Sequence, residues 1–183
     1  MFFIGSSFRR TLTSKGQRYP WQYWVRLVYN DALTTGSVSA SWRFREIGRA
    51  PHNRPLLGLA AELEHLKAND EVVFDKLSHA DYAVAAAFTT ISWADGPVML
   101  DEFGYGRKDS TSAPAMTPVT ESNYVSNLQS KGFSDEEIVA LASVEAFGVH
   151  RDPEQARWSS HPKFDTFYYK EVLKNAQGVP LCS

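Results

Sequence analysis

The sequence predicts an all-α domain, and three observations carry that prediction. Apolar residues recur at helical spacing in separate windows, as in Trp24, Leu27, Val28 and Leu33, or Leu56, Leu57, Leu59, Leu63 and Leu66, or Phe164, Phe167, Tyr168, Val172 and Leu173. Glycine and proline gather mainly between those windows, as at Gly96-Pro97. Alternating runs of strand type are scarce.

Each element follows from local chemistry. Pro20 suits a first helical turn, which predicts a helix over residues 20–33. Gly36 and the serine-rich residues 37–41 end it, and a loop, "WRFREIGRAPHNRP", leads to a second helix over 54–68. A third runs over 78–93, with alanines at 80, 83 and 85–87 that allow a neighbouring helix to approach closely. Residues 98–119, holding Gly104, Gly106, Pro114 and Pro118, read as an irregular connection, followed by a short helix over 120–131 that stops at Gly132. "SDEE" at 134–137 is a capping box, in which the Ser134 hydroxyl accepts from a free amide while Glu137 reaches back. The helix it starts is predicted to reach Gly148, and a last one spans 164–175.

Composition bounds the rest. A chain of 183 residues has room for one domain with a sizeable core. Its longest apolar run, "AVAAAF" at 83–88, is too short to cross a bilayer, and a peripheral place on a membrane complex is the expectation that remains open. Cys182 is the single cysteine; one thiol makes neither an internal disulfide nor a cysteine-based zinc site, which argues against an oxidising compartment and against secretion. A net charge of −2 argues against general nucleic-acid binding. The charge is uneven, however: Arg9, Arg10, Lys15, Arg18 and Arg26 all precede the first acid, Asp31. The Ser- and Thr-rich opening, with Phe2, Phe3, Ile4, Phe8 and Leu12, has the composition of an organellar transit segment, mitochondrial before chloroplast. A basic arm lying on an acidic partner, or a solvated tail in the cytoplasm, are the alternatives. The chain thus divides into an arm (1–19), a helical domain (20–176) and a tail (177–183).

Generic catalytic signatures are missing: there is no glycine-rich phosphate loop, Cys/His metal spacing or nucleophile elbow. His52, His65, His79, His150 and His161 are scattered, no two at i, i+4, and read as loop or surface residues rather than metal ligands.

Longer segments say more. "LSHADYAVAAAFTTISWADGPVM" (77–99), "YGRKD" (105–109), "FSDEEIVALASVEAFG" (133–148) and "WSSHPKFDTFYYKEVL" (158–173) occur in that order. Together they resemble the ascorbate peroxidase and cytochrome c peroxidase branch of the haem peroxidases over residues 23–173. The first is similar to that family's Tyr/His-Ala-Asp helix and Gly-Gly-Pro turn, the second to its Gly-Arg-x-Asp, the third to its proximal helix and the fourth to its Phe-Asp-Asn segment. The resemblance implies the peroxidase fold, with haem as the family's cofactor.

At the chemical positions the match fails. The family's distal Arg-Leu-Ala-Trp-His corresponds to "RLVYN", which keeps Arg26 but puts Tyr29 for tryptophan and Asn30 for histidine. The family's histidine moves a proton between the peroxide oxygens, and an amide has no accessible pKa for that task. Asn53, in "APHNRPL", matches the asparagine that orients that histidine, and is expected to have lost its partner. The proximal histidine is replaced by Glu145, and a carboxylate is not among the common haem ligands. His150, five positions on, points about 140° away on an ideal helix. Val144 and Phe147 stand where small residues leave space for the macrocycle. The family also continues beyond its Phe-Asp-Asn segment to an aspartate that orients the proximal ligand, so the domain is expected to be C-terminally truncated, with that partner missing and apolar helix faces left for another protein.

These departures imply a catalytically inactive accessory subunit of a larger assembly, mitochondrial and of respiratory-chain type, with no haem, no metal and Arg26 paired to Glu145 across a closed slot. One alternative is a haem-binding peroxidase or haem sensor with Glu145 as ligand. Another is a binding module that reuses the vacated slot.

Overall fold

The computed structural model describes residues 22–69, 76–99, 103–116, 119–144 and 166–174. Within them lie α1 (Gln22–Thr35), α2 (Arg45–Gly48), α3 (Leu57–Asn69), α4 (His79–Trp93), α5 (Tyr124–Ser130), α6 (Asp135–Ala142) and α7 (Phe167–Lys174). Single 3-10 turns sit at Ser41–Arg43, Arg54–Leu56 and Glu121–Asn123, and no strand occurs among the described residues. The protein is all-α.

One core forms around α1, α3 and α4. Ala80, Ala83, Ala85 and Ala86 are buried with Trp24 and Leu27, and their small side chains let α1 and α4 lie close. From α3 and the turn before it come Leu56, Leu59, Leu63 and Leu66, each at most 2% exposed. Their spacing of three and four residues makes one stripe, and truncating any of them to alanine costs about 2–5 kcal/mol. Leu57, expected in that stripe, lies off it by one residue, about 100°, and is 39% exposed. A second core joins Tyr29 of α1 to Tyr124 and Leu128 of α5, Ile138 and Ala142 of α6, Val144, and Tyr168 of α7.

The boundaries differ from expectation where short-range bonds decide them. α1 runs two residues further than its apolar pattern, to Thr35, and then Gly36 takes φ +81°. The Lys131 ammonium donates to the Leu33 carbonyl and so covers the helix end; burial holds that ammonium below the usual lysine range. Residues 42–55, expected as a loop, hold α2 and parts of two 3-10 turns, built on bonds such as Phe44 N to Ser41 O (3.0 Å) and Gly48 N to Phe44 O (2.8 Å). Elements so short bury too little for a periodic signal. A Cβ at Gly48 would stand 2.7 Å from the Trp42 carbonyl, so only glycine fits there. The helix expected over 120–131 is two pieces, a 3-10 turn followed by α5. The capping box forms as read: Ser134 N donates to Glu137 Oε2 at 2.8 Å, and Glu137 N to Ser134 Oγ at 3.3 Å. Phe164 and the residues after 144 in the proximal segment lie outside the described residues, as do the expected arm and tail.

Carboxylates tie the loops to this frame. Asp109 accepts from the first amides of α4, His79 N (3.0 Å) and Ala80 N (2.9 Å). Asp81 in turn accepts from Gly106 N (2.9 Å) and from the Arg107 guanidinium (3.0 Å). The Gly-Arg-Lys-Asp segment is therefore clamped to the start of α4 at both of its ends.

Candidate functional site

α1 places Arg26, Tyr29 and Asn30 on one side, since residues three and four apart on a helix are neighbours. The next residue, Asp31, anchors that segment. It is 3% exposed, and its carboxylate accepts from Ser39 N (2.6 Å), Ala40 N (2.8 Å), Ser41 N (2.8 Å) and the Ser41 hydroxyl. Ala40 adopts φ +58°, a left-handed conformation that L residues rarely take, and the converging amides help hold it there. Burial raises the Asp31 carboxyl above the ordinary carboxylate range against the opposing pull of these donors.

Asn30 itself is 5% exposed. Its Nδ2 donates to Asn53 Oδ1 at 2.9 Å and to the His52 carbonyl at 3.1 Å. Asn53, 3% exposed, donates from Nδ2 to the Ile47 carbonyl at 3.0 Å. The expectation that Asn53 has lost its partner is corrected. A primary amide offers an N–H much as an imidazole ring does, so Asn53 keeps an acceptor's role with a different donor. What this pair holds is a side chain that donates and accepts hydrogen bonds but does not take up a proton near neutrality.

Tyr29 points elsewhere in function. Its hydroxyl lies 2.6 Å from the Tyr124 hydroxyl, and its ring belongs to the buried cluster that includes Ala142 and Val144. A side chain of α1 and the last described residue of the proximal segment thus share one apolar cluster. Glu145, Phe147 and His150 lie outside the described residues, so the expected Arg26–Glu145 pair does too. Arg26 is partly buried on α1.

Two histidines matter more than the scattered spacing suggested. His52 stands in the turn directly before Asn53, and burial together with the nearby Arg26 charge holds its ring below the usual histidine range, hence neutral at pH 7. Its position beside Asn53 was the signal available in the sequence. His79, the first residue of α4, sets Nδ1 2.7 Å from Asp109 Oδ2 and Nε2 2.9 Å from Glu64 Oε2, joining three segments that no spacing rule relates. Among the described residues, no three His, Cys, Asp or Glu side chains are placed to hold a metal ion, and no helix is long and apolar enough to cross a membrane.

A helical domain whose first helix sets an arginine and an amide against an asparagine-bearing turn, with a Gly-Arg-Lys-Asp loop clamped to α4, has the frame of the haem-peroxidase class. The chain belongs to the peroxidase family: the family model described as Peroxidase matches residues 5–180. It is 32% identical over 164 residues to L-ascorbate peroxidase 5, peroxisomal, of Arabidopsis thaliana, an alignment covering 82% of this chain and 57% of that protein. The chain therefore spans little more than half the length of the curated relative it matches.

Proposed function

We propose that this chain is a catalytically inactive member of the peroxidase family that serves as an accessory structural subunit of a larger assembly. The observation that carries the reading is the Asn30–Asn53 bond, 2.9 Å and buried. The position that resembles the family's distal base holds an amide whose Nδ2 is committed to Asn53 and the His52 carbonyl, and proton transfer there is lost.

The residues present do not fit haem as the family binds it. Glu145 stands in the ligand's place in the sequence, and Val144 beside it is buried in the same apolar cluster as Tyr29. We infer that Arg26 pairs with Glu145, since either charge buried alone would cost several kcal/mol. The basic, Ser- and Thr-rich first 19 residues support a mitochondrial location and a respiratory-chain partner. The relative's name places that protein in peroxisomes, so subcellular fractionation with markers for both organelles decides the address of this one.

A second reading, haem-dependent peroxide reduction or haem sensing, has one observation in its favour. His52 is a neutral imidazole close to Arg26, able in principle to accept the proton that Asn30 cannot. One absorbance spectrum separates the two readings. Protein purified from its native source is scanned for a haem band at roughly 400 nm, normalised to protein. No band and co-purification in a large complex are expected. A stoichiometric band abolished by Glu145→Ala would replace the first reading with the second.

A further inference from the structure

Residues 45–57, which run from α2 to the start of α3, have an inner and an outer side. Ile47, Gly48, Ala50, Asn53 and Leu56 are buried, whereas Arg45, Arg49, Pro51, Arg54, Pro55 and Leu57 are exposed. Backbone bonds fix this division. Arg49 N donates to the Arg45 carbonyl (3.1 Å), which sets those two arginines one helical turn apart, and Arg54 N donates to the Ala50 carbonyl (2.9 Å). From the inner side Asn53 holds the Ile47 carbonyl and Asn30 the His52 carbonyl. The outer side chains thus stand on a backbone anchored from within, and little loop ordering is left to oppose binding.

The arginines of the outer side have no counter-charge. Arg43, just before them, meets Glu64 at 3.3 Å and Asp109 at 3.6 Å. Among the described residues no carboxylate lies within 4.0 Å of Arg45, Arg49 or Arg54. Glu46 is the one acid in the segment. In a chain with 21 acidic and 19 basic residues this is a local positive excess, and exposed, unpaired guanidinium groups add little to stability.

Guanidinium groups pair with phosphates as readily as with carboxylates, so the neighbouring residues decide the partner. Nucleic acids and protein surfaces are gripped through aromatic side chains that stack on bases or fill a pocket. Residues 45–57 contain no Phe, Tyr or Trp. The exposed apolar groups beside the arginines are two prolines and Leu57, 39% exposed, which offer the shallow contact that suits a headgroup layer. Such a face lies on a bilayer and needs no spanning segment; among the described residues no helix is long and apolar enough to be one.

We propose that the outer side of residues 45–57 is a docking face for an anionic lipid bilayer, with Arg45, Arg49 and Arg54 on the headgroup phosphates. The test is vesicle flotation of the full chain, on phosphatidylcholine alone and on phosphatidylcholine with about 30% phosphatidylserine. Each arginine close to an anionic leaflet strengthens binding about fivefold, so the anionic vesicles should bind at least about tenfold more tightly, even with Glu46 opposing. The bound fraction should fall as NaCl is raised from about 0.1 M to about 0.5 M. Replacing the three arginines together (Arg45→Gln, Arg49→Gln, Arg54→Gln) should weaken binding at least about tenfold and leave the melting temperature within a few degrees. A control that removes three exposed cations elsewhere (Lys76→Gln, Lys108→Gln, Lys170→Gln) should cost under about threefold. Equal binding to both vesicles would overturn the proposal, as would full binding by the arginine variant, which would move the contact to the basic first 19 residues. Equal losses in the two triple variants would reduce it to overall charge. Tighter binding to polyglutamate or to a DNA oligonucleotide than to the anionic vesicles would replace the bilayer with a protein or a nucleic acid.

Discussion

Two regions of this molecule bury polar side chains, and they use them differently. In the frame, Asp31, Asp81 and Asp109 each accept backbone amides from another segment, 8 to 10 residues away for Asp31 and 25 to 30 for the other two. Beneath α1, Asn30 and Asn53 are joined side chain to side chain. A carboxylate that recognises backbone amides serves whatever side chains the recognised loop carries, so the frame is indifferent to the chemistry beside it. The asparagine pair joins its side chains to each other and to the His52 and Ile47 carbonyls. The difference teaches that the frame and the Asn30 position depend on separate sets of hydrogen bonds, although Asn30 and Asp31 are adjacent in the chain.

Breaking the frame should therefore cost most. Asp31→Ala removes the acceptor of three amides and one hydroxyl in a buried setting, and about 3 kcal/mol of stability should be lost. For a chain of this size that is a fall of roughly 6–12 °C in melting temperature, read by calorimetry. Asp31→Asn should recover part of the loss, because its Oδ1 still accepts and it carries no buried charge, while its NH₂ group faces amides that also donate. Full recovery by asparagine would show that shape, not the carboxylate, holds the loop.

The sequence showed the frame well and the pairings poorly. Long apolar periods placed α1, α3 and α4, and the Ser134/Glu137 capping box was readable because both of its partners lie within four residues. The turns and α2 within residues 42–55 escaped because segments this short bury too little to impose a period. Leu57 was misplaced for a related reason: in a leucine-rich window, composition alone does not say which leucine leaves the stripe. The substitutions at Tyr29, Asn30 and Glu145 were visible at once through the resemblance. That Asn53 would turn to Asn30 was not, since the family's pairing was tied to a histidine and the rescue by an amide N–H shows only in three dimensions. His79 bridging Glu64 and Asp109 spans 45 residues and has no local signature.

The asparagine pair should break more gently than Asp31. Asn53→Ala leaves Asn30 with the His52 carbonyl alone and deprives the Ile47 carbonyl of its donor, for a loss of about 1–3 kcal/mol. A double-mutant cycle with Asn30→Ala, followed by urea unfolding, should give a coupling of about 1 kcal/mol. Additive losses would mean that the two amides merely sit near one another, each held by its own backbone carbonyl.

The smallest effect compares two carboxylates of the frame by pH. Burial tends to raise Asp109, but the Ala80 and His79 amides and the His79 ring outweigh it and hold the carboxyl below its ordinary 3.8. Its stabilising contribution is therefore complete above the unfolded value and is lost as pH falls through the lower, folded one. Asp31 has the opposite sign. Burial outweighs its donors and raises it above 3.8, so the folded state takes up that proton first. Its ionised form costs stability at neutral pH, and the cost is relieved as pH falls toward 3.8. Acidification from pH 7 should thus pass through the Asp31 relief before the Asp109 loss begins. Asp109→Asn should flatten the loss below pH 3.8 by under about 1 kcal/mol and leave the slope between pH 4 and 7 unchanged, as followed by urea unfolding at stepped pH. An unaltered acid limb in that variant would mean that the clamp on α4 draws its strength from geometry that survives protonation, and Asp109 would then belong with the asparagine pair rather than with Asp31.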